Sequence, residues 1–149
     1  MKIELLPWGL ILLGSTLAVG SVLDILQRRV SIRVLVISGL VALGFAFLRT
    51  DSQVADMLLG AALGLVYVFI SLASRGAIGL GDAMYLIISG VYLGLMGNLS
   101  VLVIASFGAG IAGLVALLIF KKDRKYELPF IPFLLMGVVL YGVSAYVYR

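Results

Sequence analysis

Six apolar stretches follow one another along this chain, separated only by short polar joints: about 7–26, 34–48, 57–73, 83–97, 99–120 and 130–148. A bilayer core of ~30 Å needs ~20 helical residues to cross it. The first, fifth and sixth stretches meet that length alone; the second, third and fourth need flanking residues or local thinning. None alternates apolar with polar residues as a membrane β-barrel strand would. Backbone groups in lipid must find partners within the chain, so helices are what remains. The expected fold is all-α: a polytopic membrane protein of six transmembrane helices, forming one domain over residues 1–149. The 63% hydrophobic and 12% charged content excludes an ordinary soluble domain and a disordered chain.

The first stretch has features of a signal peptide, with Lys2 before it and Ala18-Val19-Gly20 near its end. It is long for that role, and the stronger charge follows it at Arg28, Arg29 and Arg33, so it reads as a retained span. The joints after stretches one, three and five hold Arg28, Arg29, Arg33, Arg75, Lys121, Lys122, Arg124 and Lys125. The other joints and termini hold only Lys2, Arg49 and Arg149. The positive-inside rule then places the first set in the cytoplasm and both termini outside, in the inner (cytoplasmic) membrane. The net charge of +4 is explained by topology and anionic lipid, and calls for no nucleic-acid partner. Many of the 18 glycines fall inside the stretches, including the pairs Gly60/Gly64 and Gly90/Gly94. Small residues let helices approach closely in lipid, so these pairs pack the bundle or join two copies of the chain into a homo-oligomer.

The chain has no Cys and no His, which excludes disulfides, thiolate chemistry, a Ser-His-Asp triad and a His-bound zinc. Any chemistry must use the remaining polar side chains, and the acids number only 7. Glu4, Asp51 and Asp56 fall on the expected outer surface, and Asp123 and Glu127 in a loop rich in Lys and Arg; all five read as solvated charges. Asp24 lies in the last turn of the first stretch, where desolvation and the helix dipole both oppose its charge. Its plain structural explanation is an ion pair with Arg28, four residues on. Asp82 ends Gly79-Leu80-Gly81-Asp82 just before the fourth stretch, and its plain explanation is a helix N-cap.

Together the two acids allow more. The first helix ends, and the fourth begins, on the same side, so both carboxyls belong to one leaflet. Two carboxyls held close in a low dielectric do not both ionise easily, which leaves an acid beside a base. Such a pair activates water against a peptide carbonyl and protonates the leaving nitrogen, with no cofactor and no metal. Which Asp takes which role stays open, since a coupled pair titrates as a unit. Gly79 and Gly81 fit a substrate-binding role, because a Gly-rich segment accepts an extended strand by backbone pairing; a flexible joint is the plainer alternative.

These residues resemble the type IV prepilin peptidases, membrane aspartic proteases of the GxGD class. The resemblance rests on Asp24-Ile25-Leu26-Gln27-Arg28-Arg29-Val30, on Gly79-Leu80-Gly81-Asp82, and on Leu128-Pro129-Phe130-Ile131-Pro132-Phe133-Leu134, which is close to the family's Pro-Phe-x-Pro-Phe segment opening the last helix. It implies that Asp24 and Asp82 are the catalytic pair of an endopeptidase. The implied substrates are prepilin-like precursors (pilins, pseudopilins or archaellins) of type IV pilus and secretion systems, cut after a short basic leader at the cytoplasmic face. Ser31-Ile32 stands where the family usually has Pro-Asn, and Met84 where it often has Lys. The missing Cys and the short loops match a peptidase-only form without the methylating insert. Two rivals stand beside this reading: a proton- or cation-coupled transporter using the same Asp pair, and a non-catalytic scaffold.

Overall fold

A computed structural model describes residues 2–27, 30–49, 51–74, 79–119 and 128–147. The described residues are all helix, short turns and extended joints. The elements in chain order are α1 (Lys2–Gln27), α2 (Ile32–Ala46), α3 (Asp51–Ala73), α4 (Leu80–Leu118) and α5 (Ile131–Val147). Three of them, α1, α3 and α4, are long and apolar enough to cross a membrane, whereas α2 and α5 are shorter. Large apolar side chains such as Phe47, Phe69 and Phe107 lie exposed, as suits a surface facing lipid. The chain is a membrane protein by these features.

Where six separate helices were expected, five continuous elements appear, because α4 covers both the fourth and the fifth apolar stretches. At 39 residues a straight α4 would measure about 58 Å. It is not straight: Gly94 breaks it with φ 70° and ψ −172°, a conformation that residues bearing a Cβ hardly reach. Asn98 Nδ2 donates to Leu86 O at 3.0 Å, and Ser89 Oγ donates to Asn98 Oδ1 at 2.6 Å. In a straight helix Leu86 and Asn98 would lie roughly 18 Å apart, so residues 80–93 and 95–118 form two arms that fold back on one another. Asn98 is the single residue between the fourth and fifth apolar stretches. In the structure it is fully buried within the second arm, and its amide satisfies polar groups in the crook of the bend.

The break is held from outside. Asp56 of α3 accepts the Leu95 amide through Oδ1 at 3.1 Å, at the start of the second arm. Arg49, just after α2, donates to the Tyr92 carbonyl, interacts with Asp56, and lies 5.4 Å from the Phe45 ring centroid. Asp56 was expected to be a solvated charge, and Arg49 was placed only on the outer face. Asp56 is indeed exposed, but its carboxylate also caps a helix.

The densest packing joins α3 to α4, and glycine makes it possible. A Cβ on Gly60 would meet Gly94 C at 2.6 Å, and one on Gly90 would meet Gly60 C at 2.2 Å. Gly60 therefore faces Gly90 and Gly94 within one chain, while Gly64 faces Ile87, and all four glycines are buried. That surface is occupied by the contact between α3 and α4. Helix α1 packs on both α4 and α5 through Leu13 and Leu17, which are fully buried. Substituting Gly94→Ala places a Cβ 2.0 Å from Asp56 Oδ2 and imposes a disfavoured backbone, costing at least ~1–3 kcal/mol. Gly39, with open space around it, is the control. Thermal unfolding in detergent is expected to show a lowered Tm for Gly94→Ala and an unchanged or raised Tm for Gly39→Ala.

Candidate active site

The polar stretch between α4 and α5 leads into Leu128-Pro129-Phe130, and α5 starts at Ile131. Every non-proline amide in the first turn of a helix lacks an intrahelical partner. Here Pro129 and Pro132 have no amide to offer, while Phe133 and Leu134 both donate back to Phe130 O, at 2.9 and 3.2 Å. That leaves the amides of Phe130 and Ile131. The Ile131 amide donates to Asp24 Oδ2 at 3.4 Å, and the Phe130 amide lies beside it.

Asp24 sits in the last turn of α1 and is 7% exposed. The C-terminal end of its own helix repels a carboxylate; the N-terminal end of α5 attracts it. The unfavourable position noted in the sequence is thus offset by a second helix end. The Arg28 partner considered from sequence lies outside the described residues, as does Arg29.

Asp82 is partly exposed and lies within direct Coulombic range of Asp24. The structure therefore brings together two acids from α1 and α4 that are far apart in sequence. Asp82 is not an N-cap. Gly79 occupies that position in extended conformation (φ −62°, ψ 127°), and no side chain caps the helix. Asp82 is the third residue of α4, with its carboxylate turned back over Gly79: a Cβ there would sit 2.7 Å from Oδ2.

The two glycines differ in what surrounds them. Gly79 is exposed and extended, and remains accessible to another backbone. Gly81 belongs to the first helical turn of α4, so it is not free to pair as a strand. Its missing side chain makes room for Val30, whose Cγ2 would lie 2.1 Å from a Cβ at that position. Val30 follows the end of α1, so this contact ties the segment after Asp24 to the turn bearing Asp82.

The Phe130 and Ile131 amides were not singled out from the sequence. The signal was present, since two prolines three residues apart at a helix start remove amides and leave the intervening ones free. Tyr85 and Ser21 are buried one turn from Asp82 and Asp24 respectively, and the buried Ser38 of α2 lies beside Tyr85. The sequence marks them only as unremarkable residues of apolar helices.

The contact between Gly81 and Val30 is directly testable. Gly81→Ala is expected to lower the Tm in detergent, and Val30→Ala in that background to recover part of the loss, since the Val30 Cβ at 2.6 Å remains. Independent, additive effects of the two substitutions would contradict the packing.

A family model for the type IV leader peptidase family matches residues 11–114. That span includes Asp24, Gly79, Gly81 and Asp82. No curated protein and no solved structure matches the chain. The family match covers well over half of the sequence and includes both acids that the fold brings together, and the chain therefore belongs to the type IV leader peptidase family of proteases.

Proposed function

We propose that this chain is a multi-pass aspartic endopeptidase of the inner (cytoplasmic) membrane, removing the short basic leader from prepilin-like precursors at the cytoplasmic face. The observation that carries this reading is that Asp24 and Asp82 lie within electrostatic range of each other where α1, α4 and α5 converge. One carboxyl keeps its proton and polarises the scissile carbonyl; the other takes a proton from water. The hydroxide adds to the carbonyl carbon, the C–N bond then breaks, and the departing amine takes a proton from the carboxyl that received one. Water supplies all the atoms added to the two products.

Topology supports this placement. On this reading the two arms of α4 are separate spans, which makes six in all, with both termini outside. In that arrangement the end of α1 and the starts of α4 and α5 share the cytoplasmic face, in keeping with the contacts around Asp24. The crook at Gly94, with Arg49 and Asp56, falls on the opposite face. The positive-inside rule, applied to the sequence, assigns the basic joints to that same cytoplasmic face. Prepilin-like leaders meet their apolar helix at the same depth. Gly79, exposed and extended beside Asp82, is where the substrate backbone is received. Pilins, pseudopilins and archaellins all carry such leaders.

The test is co-expression with a prepilin from the same genome, followed by mass analysis of its new N-terminus. Wild type is expected to remove the leader, whereas Asp24→Asn and Asp82→Asn each reduce cleavage by at least ~10²-fold while still inserting in the membrane. Normal processing by either variant would overturn the assignment.

A further inference from the structure

Tyr85 is fully buried in α4, three residues beyond Asp82 and on the same helix face. Its ring reaches across to α1 at Gly20, one turn before Asp24. A Cβ on Gly20 would lie 2.7 Å from Tyr85 Oη and 2.9 Å from Cζ, so the phenol oxygen occupies space that only glycine leaves open. The hydroxyl lies within reach of Ser38 of α2 and within electrostatic range of Asp24. Yet neither Tyr85 Oη nor Ser21 Oγ completes a well-formed hydrogen bond among the described residues, although both are buried.

A buried hydroxyl without a partner is destabilising, and phenylalanine would fill the same space without that penalty. The oxygen is kept at a tight contact with Gly20, one turn before the carboxylate that α5 also holds. We propose that Tyr85 is a positioning residue of the peptidase reaction: its hydroxyl donates a hydrogen bond to Asp24 when substrate and water fill the site, fixing that carboxylate against Asp82. This rests on the leader-peptidase reading above. The α5 amides hold Asp24 in the resting protein; Tyr85 adds a donor from a third direction of the fold, through a side chain rather than a backbone.

The experiment is steady-state cleavage of a purified prepilin precursor by the full chain in detergent, with Tm measured on the same samples. For Tyr85→Phe, kcat is expected to fall roughly tenfold to a hundredfold, with KM within about twofold and Tm unchanged or raised. A kcat equal to wild type overturns the proposal. So does a matched loss of kcat, KM and Tm, which marks a packing role only. Should Tyr85→Phe fail to accumulate, Gly20→Ala decides, since its Cβ displaces the phenol oxygen. The same kcat loss supports the proposal and an unaltered kcat overturns it. If wild type leaves every prepilin intact, the leader-peptidase reading itself fails and the role of Tyr85 falls with it; loss confined to the variants leaves that reading standing.

Discussion

The start of α5 is the electrostatic support on which the site depends. A carboxylate at the C-terminal end of one apolar helix is held by the N-terminal end of another. The sequence arranges this economically: prolines at 129 and 132 remove their own amides, the Phe130 carbonyl takes the next two, and the amides that remain face Asp24. The last helix thereby does more than complete a bundle. It fixes the position of an acid made more than a hundred residues earlier, and it accounts for a Pro-rich opening that, from sequence, reads equally well as a simple helix start.

Two tight glycine contacts complete the geometry. Gly81 lets Val30 press against the first turn of α4, and Gly79 lets the Asp82 carboxylate turn back along that turn. The chain after α1 and the chain before α4 are locked where their acids come within electrostatic range of each other. On the far side of the molecule the facing glycines of α3 and α4 serve a different purpose, bringing backbone against backbone so that the bend in α4 has a firm wall.

The sequence was most informative where chemistry is scarce. With no His and no Cys and few acids, Asp24 and Asp82 could be singled out by elimination, and the fold brings them together. It was less informative about joints. The gap between the fourth and fifth stretches falls at Asn98, yet this residue forms no loop: its buried amide satisfies carbonyls at a bend. Gly94 was visible only as part of a packing motif; its left-handed backbone is a property of three-dimensional context. Asp56 read as a surface charge because its partner, the Leu95 amide, exists only once α4 has broken. Tyr85 was hidden for a similar reason: its importance comes from Gly20, a residue on another helix.

The bend at Gly94 also bears on the order of assembly. The apolar run of α4 is far longer than one crossing needs, and nothing charged within it marks where it must reverse. The reversal is stabilised by Arg49 and Asp56, both of which leave the ribosome before Gly94 does. Part of the instruction for folding α4 thus precedes it in the chain: its own Gly94 and Asn98 form the bend, and residues made earlier hold that bend from outside.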